Sequence, residues 1–296
     1  MNKIKDTKSI LMQAAHQMDI ISKKYCPLTG CNQNRMKGVD NNDNCEWYHG
    51  AWMYCRLSGI VVSEDYLGVN YQSFFQKHSE KQCSILICGT ADFAIVEHII
   101  QRIPERNRRQ THITILDICN SPLLLCQWFI NNYYQEYIDN IDFVQADATN
   151  MPFEDNSFDL ITTYSFLTRM VYSDAKKVVN EWHRVLKSKG TVLTTVRINN
   201  LKEFEGKFYR SNSADEQFAL DKLDKFLFEY SLDSSYAEII RAKVKGYISN
   251  IMSVAISSER LKDMFNYYIC DITYFDQPGE LESVHEMAIV NAIKCI

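Results

Sequence analysis

The chain has 296 residues, 46% hydrophobic and 23% charged, which excludes a mainly disordered protein and leaves room for one large domain or a domain with a cap. A formal net charge of −5 argues against nucleic acid as a partner, and the small basic cluster of Arg106, Arg108 and Arg109 reads as a solvated turn. No apolar stretch suggests a signal peptide or reaches the roughly 18 residues of a membrane span, so no membrane association is expected. The spacings of Cys26, Cys31, Cys45 and Cys55 match no C-x-x-C pair and no zinc ribbon, so no metal is expected. Cys88, Cys119 and Cys126 sit in apolar runs, where a thiol behaves as a small buried hydrophobe. The cysteines therefore read as reduced, in a cytoplasmic protein.

Residues 1–80 read as helices and loops forming an N-terminal cap, interrupted by the polar stretch Asn32 to Asn44. From residue 81 apolar strands alternate with amphipathic helices, the pattern of a parallel α/β sheet. Ser84 to Cys88 is the first strand, ending at Gly89. Phe93, Val96, Ile99, Ile100 and Ile103 then mark one buried helical face, which Pro104 terminates. His112 to Asp117 is the second strand. Ser121 is expected to cap the next helix, with Pro122 in its first turn. Ile141 to Ala146 and Phe158 to Thr163 are the third and fourth strands. A helix from Ala175 to Leu186 leads through Gly190, a predicted C-cap, to a fifth strand at Thr191 to Val196. Residues 201–255 read as an aromatic insertion, helical from Asp215 to Tyr230. After a helix at Ser258 to Tyr267, strands near Tyr268 to Phe275 and Glu286 to Lys294 are joined by a loop short enough only for an antiparallel pair.

In an open parallel sheet ligands bind beyond the carboxyl ends of the strands. Those ends read Cys88-Gly89-Thr90-Ala91-Asp92, Asp117-Ile118-Cys119, Asp147-Ala148 and Thr163-Tyr164-Ser165. Gly89 permits a tight turn and close backbone approach. A carboxylate after strand two can accept from both hydroxyls of a ribose, which suits Asp117. One after strand three can accept from an adenine amino group, which suits Asp147.

Residues 81 to 200 resemble class I S-adenosylmethionine (SAM)-dependent methyltransferases. Two stretches carry the resemblance. Asp147 to Leu160 is similar to the family's segment between strands three and four, and Arg184-Val-Leu-Lys-Ser-Lys-Gly190 to its turn before strand five. The resemblance implies a seven-stranded, mostly parallel Rossmann-like sheet with an antiparallel final strand, and SAM as cofactor. It places Gly89 under the methionine part of SAM, Asp117 at the ribose, and Asp147 with Ala148 at the adenine. Cys88, Thr90, Ala91, Asp92, Ile118 and Thr163 complete the expected cofactor set. The family's acidic residue and three alternate glycines fall on Ile87, Gly89, Ala91 and Phe93, so one glycine remains and Phe93 must point into the helix packing. Asp92 either attracts the ammonium group of SAM or caps the following helix.

Methyl transfer needs alignment and exclusion of water more than covalent help from the protein. Residues 46 to 57 crowd Trp47, Tyr48, His49, Trp52 and Tyr54 into a short piece, either a lid touching ligand or an aromatic helix packed on the sheet. Tyr48, His49 and Tyr164 are the expected catalytic groups. Trp52, Arg169 and Arg197 are the expected substrate contacts, the guanidinium groups matching a carboxylate. The expected function is methyl transfer to a small or medium organic molecule. Two alternatives stand beside it: cyclisation or elimination of SAM itself, releasing methylthioadenosine, and a non-catalytic interaction role. The sequence leaves the oligomeric state open.

Overall fold

A computed structural model describes residues 7–29, 44–61, 71, 74–75, 83–201, 208–210, 213–254, 256–276 and 286–295. Cys31 and most of the Asn32 to Asn44 stretch lie outside them. Nine strands are described: β1 (Ser84–Cys88), β2 (His112–Asp117), β3 (Ile141–Gln145), β4 (Phe158–Tyr164), β5 (Leu186–Ile198), β6 (Phe208–Arg210), β7 (Met252–Val254), β8 (Tyr268–Asp276) and β9 (Glu286–Lys294). The α-helices are α1 (Thr7–Thr29), α2 (Glu46–Leu57), α3 (Ala94–Arg102), α4 (Glu105–Arg108), α5 (Asn120–Tyr133), α6 (Tyr172–Val185), α7 (Ser213–Glu229), α8 (Ser234–Asn250) and α9 (Ser258–Met264).

Seven strands form one sheet in the order β3-β2-β1-β4-β5-β9-β8. The first five are parallel, and β9 runs antiparallel to both β5 and β8. The expected Rossmann-like sheet with its antiparallel final strand is thus present. β1 shows why an unbroken apolar run is needed at the centre of such a sheet. Ile85 and Ile87 enter the core on one face, with α3 and α5, while Leu86 and Cys88 enter the core on the other, with α6 and α9. Successive side chains alternate faces, and here helices cover both.

Several boundaries differ from the sequence reading. Helix α6 stops at Val185, and β5 begins at once at Leu186, so Gly190 lies inside the strand and caps no helix. Lys189 takes a left-handed φ of 63°, and the β4–β5 register slips between Phe158 and Leu160. A bulge therefore absorbs residues that read as a turn. Ser121 lies inside α5, and the residue at that helix's cap position, Cys119, makes no side-chain capping bond. The insertion holds two helices, α7 and α8, and a small sheet of β6 with β7.

The two stretches that carry the family resemblance are physically one unit. The Arg184 guanidinium donates to the carbonyls of Phe153 (2.7 Å) and Met151 (3.0 Å) and to Asp155 (2.9 Å) and Glu181 (2.8 Å). Glu181 in turn accepts the Met151 N–H at 2.8 Å. The β3–β4 connection is held on α6 by this network, and Phe153 packs edge-on against Phe158 with ring centroids 5.0 Å apart.

Helices α1 and α2 pack on each other, α1 also on α5, and α2 also on α8. A polar junction ties the three: the Tyr54 hydroxyl meets Asp19 of α1 at 3.0 Å and Tyr236 of α8 at 2.8 Å, and Lys243 of α8 pairs with Asp19 at 3.0 Å. Helix α2 is thereby fixed above the carboxyl edge of the sheet.

Candidate active site

The loops after β1, β2 and β3 meet at Asp117. Its Oδ2 accepts the Thr90 N–H at 2.9 Å, and its Oδ1 accepts the Cys119 N–H at 2.7 Å. The Gly89 N–H donates to the Leu116 carbonyl at 2.7 Å and the Ala146 N–H to the Asp117 carbonyl at 3.0 Å. Gly89, Asp117 and Asp147 therefore stand on three adjoining loops at one sheet edge. Burial pushes Asp117 up to about 6, against the opposing pull of His49 and of the two N–H donors. A carboxylate has about four lone-pair sites, and the two N–H bonds leave capacity for further donors.

Gly89 is required twice over. Its φ is +75°, a region costly for a side-chain-bearing residue, and a Cβ there would lie 2.4 Å from Cδ2 of Phe166. Phe166, which the sequence reading did not single out, thus packs against the first loop from the end of β4. Phe93 is buried and stacks on Phe129 with ring centroids 3.8 Å apart, pointing into the helix packing as expected.

Asp92 is only 4% exposed and is a junction. It accepts from the Trp52 indole N–H at 2.6 Å, from Arg56 at 3.2 Å and from the N–H of Ala94 at 2.7 Å. It caps α3 and joins the first loop to α2. Trp52, expected at the substrate, spends its N–H on this junction. Asp147 folds back on its own turn, Oδ1 accepting from the N–H and hydroxyl of Thr149, both at 2.7 Å. Ala148 and Cys88 are buried, Ile118 presents its carbonyl to Gln145 at 3.2 Å, and the Thr90 hydroxyl donates to the Asp92 carbonyl. Ala91 is half-buried in the same loop. Thr163 is fully buried, its carbonyl accepting from the Tyr71 hydroxyl at 2.8 Å.

Above this floor α2, α8 and the turn at Leu167–Arg169 build an aromatic roof. The Tyr48 ring lies 5.4 Å from Trp52, 5.6 Å from Tyr247 and 5.8 Å from Trp47, with the Arg169 guanidinium 6.0 Å from its centre. Burial pushes Tyr48 up to about 12, against the favourable charge of Arg169. Burial also raises Tyr247, which feels both Arg169 and Arg197. Four residues expected at the catalytic or substrate end (Tyr48, Trp52, Arg169 and Arg197) are therefore brought together, around a Tyr247 that the sequence reading missed. The insertion's aromatic excess could have pointed to it, but other aromatics of that segment do other work. Phe228 is 86% exposed and Phe218 41% exposed, both turned to solvent, while Phe226 is buried in the core. Tyr164 stands half-buried at the end of β4. Burial works to lower the proton affinity of His49, but the neighbouring Cys119 and Asp117 together outweigh it and raise that affinity.

Residues 93–194 match a family model described as a methyltransferase domain. The ubiquinone/menaquinone biosynthesis C-methyltransferase UbiE of Brucella abortus (strain S19) is 40% identical over 105 residues, 36% of this chain and 35% of that protein. The chain thus matches about a third of the length of such curated relatives. Among solved structures, the 1,6-didemethyltoxoflavin-N1-methyltransferase of Burkholderia thailandensis, with bound 1,6-didemethyltoxoflavin and S-adenosylhomocysteine, superposes with a TM-score of 0.53 at 12% identity, covering 85% of this chain and 89% of that one. The CurJ carbon methyltransferase gives 0.53 at 12% identity, covering 97% and 70%. At such identity these structures speak to the fold. Residues 93–194 are thus similar to a methyltransferase domain, and the fold is that of class I SAM-dependent methyltransferases. No helix among the described residues is long and apolar enough to cross a membrane.

Proposed function

We propose that this protein transfers a methyl group from SAM to a small or medium organic molecule bound under the α2–α8 roof. One observation carries the reading: the carboxylate of Asp117 gathers the first and second loops about itself and keeps acceptor capacity for the two hydroxyls of a ribose. The donor and acceptor set fits the cofactor. Asp117 would hold the ribose, Gly89 and Thr90 the methionine part, and Asp147 with Ala148 the adenine. SAM, when bound, supplies a sulfonium methyl group open to in-line displacement.

The chain's own residues supply position and dryness. Trp52 and Asp92 pin α2 to the first loop, so the roof and the cofactor floor share one rigid connection. Tyr48, Tyr247, Arg169 and Arg197 face the acceptor. An aromatic pair beside two guanidinium groups suits a planar or carboxylated molecule. Tyr48, raised by burial, holds its proton at neutral pH and orients an acceptor by hydrogen bonding instead of acting as an anion. Residues 1–80 serve as the cap, and 81–296 as the cofactor domain with the insertion at 201–255 completing the roof. The seven buried, unbridged thiols among the described residues suit a reducing, cytoplasmic setting.

The similar UbiE is a C-methyltransferase of ubiquinone/menaquinone biosynthesis, which supports a small organic substrate here. Incubation with SAM and a small-molecule extract, followed by mass spectrometry, tests the reading. S-adenosylhomocysteine together with a product heavier by one methylene unit is expected. Methylthioadenosine in its place, or no SAM turnover with any fraction, would overturn it.

A further inference from the structure

Helix α1, the cap of α2 and the loop after β2 each send one thiol to a single buried spot. Cys26 is 0%, Cys119 1% and Cys45 6% exposed, and the three form a small core of their own. Their sulfur atoms all lie within 4.8 Å of one another, with Cys45 and Cys119 at 3.5 Å. All three are unbridged, and 3.5 Å is far beyond a disulfide bond of about 2.05 Å. Around a tetrahedral zinc ion, bonds of about 2.3 Å set sulfur atoms about 3.8 Å apart. The observed spread brackets that spacing.

His49 stands next to the cluster, although its ring nitrogens lie outside the 4.8 Å that the three sulfur atoms share. His49, in the first turn of α2, follows the cap residue Cys45 by four positions and lies close enough to Cys119 for the two groups to interact. It is 6% exposed, and its Nδ1 is buried with no hydrogen-bond partner among the described residues. An orphaned buried ring nitrogen is expensive unless something else binds there. The outer groups are also in place. Asp117 accepts the Cys119 N–H at 2.7 Å and lies within electrostatic reach of His49, and the Ser121 hydroxyl touches the Cys26 sulfur at 3.2 Å.

We propose that Cys26, Cys45, Cys119 and His49 form a structural zinc site. Three thiolates and one imidazole select a borderline-soft ion over magnesium or calcium. The three thiolates supply three corners of a tetrahedron, and a shift of the neighbouring His49 ring on binding the ion would supply the fourth and close the site. The ion joins both cap helices to the loop that carries Asp117, holding the roof on the cofactor floor. It also engages His49, which leaves Tyr48 as the roof's proton-bearing group. The residues are 19 and 74 apart along the chain, which is why no spacing rule reports them.

The site is tested without SAM, so its failure and that of the methyl-transfer reading are separate results. The full chain, free of any affinity tag, is purified under reducing conditions, loaded with zinc, desalted and analysed by plasma mass spectrometry. One zinc per chain is expected. The cobalt-substituted protein is expected to show thiolate-to-cobalt charge transfer and the intense visible bands of a tetrahedral ion. Cys45→Ser, Cys119→Ser and His49→Ala should each lose stoichiometric zinc, whereas Cys126→Ser, buried outside the cluster, should keep it. Should a ligand variant fail to fold, the natural chain still decides. Alkylation with peptide mapping should find Cys26, Cys45 and Cys119 protected with zinc and reactive together after chelation, with exposed Cys270 reactive in both states. A natural chain that takes up only substoichiometric zinc, a Cys45–Cys119 disulfide in its place, or an unchanged cobalt spectrum in folded Cys119→Ser would overturn the proposal.

Discussion

Asp92→Ala removes the single carboxylate that joins α2 to the first loop, and the structure sets its cost. Asp92 accepts from Trp52, Arg56 and the Ala94 N–H at 2.6, 3.2 and 2.7 Å, and the Arg56 side chain opposite it is only 7% exposed. Loss of the carboxylate breaks a buried ion pair, and breaking such a pair costs about 3–5 kcal/mol. Arg56→Met instead leaves Asp92 with its indole and backbone donors and should cost about 1–3 kcal/mol. The double variant should lose less than the sum, with a coupling energy of about 1–3 kcal/mol. Equilibrium urea unfolding of the four proteins, followed by circular dichroism, reads these values directly. Single-variant losses that add within about 0.5 kcal/mol would refute the reasoning, because groups sharing one buried contact cannot behave as independent sites.

Three further outcomes follow from the same geometry. Gly89→Ala should cost about 1–2 kcal/mol for its left-handed backbone and a further roughly 1–3 kcal/mol for the contact with Phe166, and adding Phe166→Ala should recover only the second part in thermal melts. Recovery of the whole loss would contradict the backbone assignment. His98 is buried against Phe75, and burial, helped by Arg102, lowers it from 6.5 to about 4. The unfolded chain then takes up a proton that the folded chain refuses. Stability should fall as pH drops from about 6.5 to about 4, by at most about 3 kcal/mol, and a flat profile over that window would contradict the burial. His98→Gln should remove this slope. Once an acceptor is found, Arg169→Leu should raise KM by roughly 10-fold or more for a carboxylated substrate, in steady-state assays where Tyr48→Phe mainly lowers kcat.

Most of the sheet is readable from the chain because each strand is a short apolar run closed by a turn residue. β9 was expected over the residues it occupies, and β1 and β2 likewise. β5 resists because Lys187, Ser188, Lys189 and Gly190 have the composition of a loop. Pairing with β4 and a bulge at Lys189 override that local preference, and Lys187 finds Asp159 at 2.8 Å. Asp117 and Gly89 are legible because strand ends of a parallel sheet must converge. Asp92 is legible as a helix cap, but its bonds to Trp52 and Arg56 cross about 40 residues of chain. Tyr247 and Phe166 are harder still. Their roles come from where α8 and the turn after β4 lie in space, and neither residue differs in local pattern from an ordinary packed aromatic.

The central claim is that Asp117 anchors a SAM site at the carboxyl edge of the sheet. Calorimetric titration of SAM into the natural chain and into Asp117→Ala, at matched zinc content, tests it most directly. Saturable binding is expected, weakened in the variant by about 1–3 kcal/mol, or roughly 5- to 150-fold. Equal affinity for the two proteins, or no binding by the natural chain, would contradict the account.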